Sequence, residues 1–178
     1  MRLYVIAGKA RHGKDTVASA LKKAYEDKKV ITLSYGSYIK NYAMNISDWD
    51  GNEDTKPRDL LQNLGTEVIR NKIDKDFFIK RICDDIRVYS YYFDVIIISD
   101  ARFPDEVLTP KKLFDNVVTV KVIRPNFETS LTSKEKAHST ETALDEFDDY
   151  DFKIVNDSTI DELNGKVFDM VKKVEHEY

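Results

Sequence analysis

The stretch IAGKARHGKDTVASAL, residues 6–21, decides the fold. An apolar run ends at Gly8, and three basic residues, Lys9, Arg11 and His12, follow it. Gly13 and Lys14 then open a segment with Val17, Leu21 and Tyr25 at i, i+4 and i+8, the period of a helix. Residues 8–14 fit G-x-x-x-x-G-K, and a strand before with a helix after is the context that motif requires. Glycines let the backbone turn tightly, so that successive N–H groups and the positive end of the helix form an anion nest. Lys14 adds a full charge able to follow the β- and γ-phosphates of a nucleotide. The competing reading is a plain glycine turn at a strand–helix junction. With Gly near 7% and Lys similarly common, a chance match in a chain of this length has odds of about one in twenty, before the flanking elements are required. Gly8, Lys9, Ala10, Arg11, His12, Gly13, Lys14, Asp15 and Thr16 are therefore the candidate phosphate cradle.

The residue after Lys14 departs from the motif. A Ser or Thr hydroxyl there ligates Mg²⁺; this chain has Asp15, and Thr16 is one position too far to replace it. Either Asp15 holds Mg²⁺, directly or through water, or it is a first-turn acid favoured by the helix dipole.

Outward from the loop, β-rich apolar segments cover residues 3–7, 30–34, 92–99 and 117–123, with a weaker one at 152–155. DVIIIS is apolar without alternation, as a strand buried on both faces is. Helical patterns lie between them at 14–26, 37–43, 58–72, 76–88 and 159–174, the last with Asp157 or Ser158 as N-cap. Strands alternating with helices predict a parallel sheet covered on both faces. Ligands of such sheets sit at the carboxyl ends of the strands, where Gly8, Asp100 and Arg124 fall.

The bulk numbers fit this reading. At 178 residues the chain suits one domain with a real core. A net charge of −4 gives no overall basic field, so nucleic acid is not an expected partner and any anion site is local. Cys83 is the sole cysteine, which excludes an internal disulfide or a cysteine metal cluster and suits a reducing compartment. The first apolar run is too short for a signal sequence, and no segment reaches the ~18 apolar residues of a membrane span. A cytoplasmic protein without a membrane partner is expected.

A second acidic site ends the third strand. VIIISDARFPDE carries Asp100, Arg102, Asp105 and Glu106. A strand-end acid beside a phosphate loop orients Mg²⁺ or its waters, and a planar guanidinium clamps a second phosphate. Read alone, the stretch is equally a polar loop with an internal ion pair. Arg58 and Arg70 flank RDLLQNLGTEVIR, with Gln62, Thr66 and Glu67 between them; at twelve residues apart on one helix, a little over three turns, the two arginines could share a face. Lys40 follows the second strand, and Arg124 follows the fourth with a guanidinium suited to a base or a phosphate. Singly, each of these is more often surface than site. Residues 125–142 are polar and read as a lid over phosphates, with Lys134 and Lys136 as its charges, or as a disordered connection. His138 reads as a surface or capping residue. Tyr89, Tyr91, Tyr92 and Phe93 read as core or subunit contact.

GKARHGKDT, RDLLQNLGTEVIR, SDARFPDE and HSTETALDEF…FKIVNDSTIDEL occur in the order found in the phage-type deoxynucleoside monophosphate kinases, which the chain resembles over most of its length. The resemblance implies a three-layer α/β/α P-loop kinase fold with a five-stranded, mainly parallel sheet. It implies a single domain over residues 1–178, with an acceptor-binding helical insert at about 36–90 and a lid-like segment at about 125–142. It implies transfer of the γ-phosphate of ATP to a deoxynucleoside 5′-monophosphate, with Mg²⁺. That family also tolerates Asp after the loop lysine. The roles that follow put Lys14, Asp15, Asp100 and Arg102 in catalysis, with Asp15 and Asp100 holding Mg²⁺ or its waters. Lys40, Arg58, Gln62, Arg70 and Arg102 serve the acceptor, and Arg124, Lys134 and Lys136 the donor or lid. An arginine-rich lid, common in the wider kinase branch, is absent, and lysines take its place.

Three rivals remain at this stage. One is a kinase of another small phosphorylated acceptor, such as phosphomevalonate or dephospho-coenzyme A; Gln62 and Tyr38 favour a base-binding pocket over it. A non-catalytic nucleotide-binding module is opposed by the joint presence of Lys14, Asp100 and Arg102. A purely structural protein leaves the glycine loop unexplained. Tyrosine-rich strand flanks allow a homodimer.

Overall fold

Side-chain alternation along β1 (Arg2–Ala7) sorts the molecule into two cores. In the computed structural model, which describes residues 1–127 and 131–177, with Lys134 and Glu177 as backbone alone, Tyr4 and Ile6 face one side and Leu3, Val5 and Ala7 the other. The first side is covered by α1 (Lys14–Ala24) and α8 (Ile160–Glu177), through Val17, Leu21, Leu163 and Val167. The second is covered by α4 (Phe77–Tyr89) and α5 (Pro104–Leu113), through Ile79, Ile82, Ile86 and Val107. β3 (Val95–Ala101) divides in the same way, Val95 and Ile97 against Ile96 and Ile98. A period of two with both faces covered is why these strands read as unbroken apolar runs.

The sheet runs β2-β3-β1-β4-β5, with β2 at Val30–Leu33, β4 at Val117–Ile123 and β5 at Phe152–Val155, and every neighbouring pair is parallel. Val5 pairs with both Ile98 and Thr119, so the carboxyl ends of the three inner strands lie side by side. The β1–β3 register slips between Val5 and Ala7, beside Ser99 and Asp100. Such an irregularity re-aims side chains where a strand leaves its ladder.

All helices between β2 and β3 belong to one stretch of chain: α2 (Tyr35–Ile46), α3 (Arg58–Gln62) and α4. α3 runs directly into a π-helical stretch (Asn63–Ile73), closed by Asp74 N–H donating to Ile69 O at 2.9 Å. The wider turn stacks residues five apart, which periodicity at 3.6 does not anticipate.

Three expectations need correcting. The third strand begins at Val95, not at residue 92, so Tyr91 and Tyr92 lie in the turn before it, 87% and 67% exposed, which removes the core reading for these two and leaves that of a subunit contact; Tyr89 and Phe93 do pack on the second core. Residues 104–113, to which the sequence reading assigned no element, form a helix with Pro110 in its interior. Its start carries Pro104 at N1 with Asp105 and Glu106 in the first turn, a start signal that the polar composition obscured. Thr159 caps α8, its Oγ1 accepting from Glu162 N at 3.2 Å, while Asp157 instead pairs with Lys166 at 2.7 Å. Within the polar segment, α6 (Ser133–Ala137) and α7 (Ser139–Thr142) are short helices; residues 128–130 and the Lys134 side chain lie outside the described residues.

Candidate active site

The loop after β1 is shaped by its backbone and capped by residues that follow β4 and β5. Gly8 has φ +152°, and a Cβ there would sit 2.6 Å from the Val122 carbonyl oxygen. Gly13, at φ +99°, precedes the first residue of α1, and its Cβ would meet Asn156 Nδ2 at 2.6 Å. Arg11 adopts φ +60°, a left-handed conformation costing roughly 1–2 kcal/mol for a residue with a Cβ. The turn closes through His12 N–H donating to Lys9 O at 3.3 Å. Asn156, just past β5, donates its side-chain amide to His12 O at 3.0 Å and its backbone N–H to Ile123 O at 2.7 Å. Arg124, just past β4, donates its backbone N–H to His12 Nδ1 at 3.2 Å and its guanidinium to Arg11 O at 3.4 Å. The Arg124 guanidinium also stacks 4.1 Å from the Phe127 ring centre.

Lys14 is 7% exposed, and its ammonium donates to Lys9 O at 2.8 Å. Burial, then the nearby Arg102 charge, pulls its pKa down to about 8, with Asp100, Glu141 and Asp15 opposing. Burial also lowers the His12 pKa. A buried ammonium whose hydrogen bond goes to a neutral carbonyl, Lys9 O, is suited to an anion. Gly13, Asp15, Thr16, Arg124, Asn156 and Ile160 help line a cleft of about 390 Å³ beside it.

Across the β3 end, Asp100 faces the start of α2. Its two oxygens accept from Tyr35 N–H at 2.8 Å and Gly36 N–H at 2.9 Å, where a carboxylate complements the helix dipole. Glu106 of α5 is buried beneath. One oxygen accepts from Arg102 N–H at 2.7 Å and Phe103 N–H at 3.2 Å, and the other lies 3.8 Å from the Arg70 guanidinium. Burial pushes the Glu106 carboxyl up to about 7, against the pull of those donors and Arg70. Arg70 lies 3.8 Å over the Phe103 ring centre and 3.8 Å from Asp105. Arg102 donates to Glu141 at 2.6 Å, and the second oxygen of Glu141 accepts from Ala10 N–H at 2.9 Å.

Lys14, Asp15, Asp100 and Arg102 thus form one electrostatic cluster, with Arg124 on one side and Arg70 on the other. The remaining sequence candidates are tied elsewhere. Lys40 pairs with Glu53, which also holds Lys56. Arg58 lies 3.9 Å from Glu135 of α6, whereas Arg70 meets Asp105 and Glu106 of α5, so the two ends of the helix address different neighbours. Gln62 is half-buried at the end of α3, and Lys136 is exposed on α6. Lys9 pairs with Asp145 at 2.7 Å. Tyr38 gives its hydroxyl to Asp85 and stacks on Phe78. His138 caps α7, accepting from Thr140 N–H at 3.3 Å.

Sequence reasoning missed Glu141, Asn156 and the buried role of Glu106. Asn156 had a usable signal, since it ends a strand of the same parallel sheet as Gly8 and Arg124. Glu106 had one too, as the third residue of α5 reaching back to the N–H groups of Phe103 and Arg102, whereas Glu141 acts through Arg102 and Ala10, far away in the chain, and leaves no local pattern.

Among the described residues no three His, Cys, Asp or Glu side chains form a metal cage. Mg²⁺ does not require one, since it takes one or two carboxylates and fills its shell with water and phosphate oxygens. Asp15 is exposed at the cleft, and each Asp100 oxygen, engaged by one N–H, has capacity for a further partner. The donor set fits such an ion.

A family model described as deoxynucleotide monophosphate kinase matches residues 28–167, a range that begins after the glycine loop. The deoxynucleotide monophosphate kinase of Enterobacteria phage T4 is 28% identical over 116 residues, 65% of this chain and 45% of that relative, so the match spans less than half of its length. Three solved structures share the fold. A sugar kinase from Janibacter superposes with a TM-score of 0.58 at 12% identity, covering 97% of this chain and 95% of that one. Dephospho-CoA kinase from Campylobacter jejuni gives 0.54 at 10%, and shikimate kinase from Aquifex aeolicus 0.51 at 15%, each covering 97% of both chains. No helix among the described residues is long and apolar enough to cross a membrane.

Proposed function

The chain belongs to the deoxynucleotide monophosphate kinase family, and from that premise we propose that it moves the γ-phosphoryl group of ATP onto the 5′-phosphate of a deoxynucleoside monophosphate. The observation that carries this reading is Lys14. It is a buried cation at the base of a glycine loop, clustered with Asp100 and Arg102 from the adjacent strand end.

Phosphoryl transfer asks little covalent chemistry of a protein; it asks for positioning and for positive charge around the transferring group. The N–H groups of residues 8–16 cradle the donor triphosphate, and Lys14 exchanges Lys9 O for the β- and γ-phosphates. Arg124 and the cleft beside Asn156 receive the donor nucleoside. Arg102 and Arg70, approaching from the β3–α5 turn and the π-helical stretch, hold the acceptor phosphate. The helices of residues 35–89, with Arg58, Gln62 and Tyr38, enclose the acceptor nucleoside, and Lys40 lies at the edge of that block. Asp15 and Asp100 would hold Mg²⁺, directly or through its waters, and that ion would supply neutralisation of the phosphate charge. No general base is required, because the acceptor phosphate is already an anionic nucleophile. The described residues of the polar segment, 131–142, with Lys136, act as a cover that keeps water from taking the phosphoryl group.

The test is ADP release from ATP and Mg²⁺ against deoxynucleoside and nucleoside monophosphates, phosphomevalonate and dephospho-coenzyme A. Turnover is expected on one or more deoxynucleotides and is expected to fall at least about a hundredfold in Lys14→Ala. Turnover confined to a non-nucleotide acceptor, or none on any acceptor, overturns the reading.

A further inference from the structure

Three acids from a single segment, residues 135–145, each hold a cation placed at the site. Glu135 lies 3.9 Å from Arg58, Glu141 2.6 Å from Arg102 and Asp145 2.7 Å from Lys9. Glu141 goes further than the others, because its second oxygen takes the Ala10 N–H of the glycine loop at 2.9 Å. One carboxylate thereby occupies a loop amide and a guanidinium at once, the two kinds of donor that phosphate oxygens take. Its side chain is 11% exposed. The segment behind it is anchored: Leu144 is buried in the second core, and Lys121 donates to Leu144 O at 3.4 Å and Phe147 O at 2.9 Å.

We propose that Glu141 is a built-in counter-anion that sets which anions the site retains. An incoming polyphosphate must take Ala10 N–H and Arg102 from it. Inorganic phosphate, too short to reach the rest of the loop at the same time, competes poorly against a carboxylate already tethered there. A triphosphate also gains Lys14 and the N–H groups beyond Ala10, and so prevails. The counter-anion thus sets a threshold of attraction that a short anion does not clear and a triphosphate does. The inference deepens the kinase reading and rests on its placing of phosphate at the glycine loop.

The test is calorimetric binding of inorganic phosphate, pyrophosphate and ATP to the full chain, wild type against Glu141→Gln. Glutamine keeps the size and one acceptor oxygen and removes the charge. Affinity for phosphate, pyrophosphate and ATP is expected to rise by a similar factor, about tenfold, because each displaces the same carboxylate. A ligand-free melt checks the fold, and Glu141→Ser carries the same measurement if the glutamine variant does not fold. Unchanged or weaker affinity for all three anions overturns the proposal; with turnover intact, the kinase reading survives that failure. Tighter phosphate binding in the variant, with no turnover on any acceptor in wild type, supports the counter-anion and sinks the kinase reading. No anion bound by either protein overturns both.

Discussion

The glycine loop and the arginine cluster facing it are held by different means. In the loop, backbone geometry and side-chain caps on backbone carbonyls do the work: Gly8 and Gly13 at positive φ, His12 O taken by the Asn156 amide, and Arg11 O taken by the Arg124 guanidinium. In the facing cluster, charge does it: Arg70 between Asp105 and Glu106, Arg102 on Glu141, and Arg58 beside Glu135. Backbone fixes a shape that one added atom can ruin. Ion pairs fix a shape that a competing anion can rearrange. A rigid cradle for the group that is always the same, opposite an adjustable grip for the group that varies, is what transfer between unlike partners requires.

The sharpest way to break this contrast is Gly13→Ala. The new Cβ would meet Asn156 Nδ2 at 2.6 Å in a backbone with φ +99°. We expect a loss of about 2–3 kcal/mol in urea unfolding together with a loss of ATP affinity. A variant of wild-type stability and affinity would show that the loop is not held by its backbone. Arg70→Ala attacks the other side. The acceptor KM is expected to rise about tenfold or more while the ATP KM stays within about twofold, since charge-assisted contacts to phosphate are worth roughly 1.5–3 kcal/mol. An equal rise in both constants would mean that the two sides are not separable.

The smallest effect sharpens the comparison through pH. Lys14 titrates near 8 in the free protein, well below an ordinary lysine, chiefly because it is buried. A bound polyphosphate restores its charge, so above pH 8 binding must take up a proton. ATP affinity is expected to be flat up to about pH 7.5 and then to fall by up to about tenfold per unit, read by calorimetry in buffers of differing ionisation enthalpy. The sign for folding is opposite. The folded value lies below the unfolded one, so the unfolded chain binds more protons between pH 8 and about 10.5, and Lys14 makes the ligand-free fold more stable as pH rises through that window. Lys14→Met should flatten both slopes.

The same contrast explains what could be read from residues alone. Strand, glycine turn and helix are local in sequence, so Ile6 to Leu21 announces both the sheet and the cradle. DVIIIS announces a strand buried on both faces because both cores draw on it. Arg70 and Arg102 were legible as cations, and Glu106 and Glu141 fall inside SDARFPDE and HSTETALDEF, but the pairing of each acid with an arginine up to 39 residues away carries no periodic signal. The π-helical turn from Asn63 escaped because nothing in a 3.6-residue pattern distinguishes it. Residues 104–113 escaped because a proline inside a short polar helix outweighs a good start signal.

Asp100 ties the two sides together. The carboxylate beside Lys14 also accepts both N–H groups at the first turn of α2, the helix that begins the block proposed to enclose the acceptor. Two ligands that each bias one shared group are thermodynamically linked, and linkage is reciprocal. Whatever factor donor binding imposes on acceptor affinity through Asp100, acceptor binding must return to the donor. The order in which the two substrates arrive then changes the path of the cycle but not the free energy of the ternary complex.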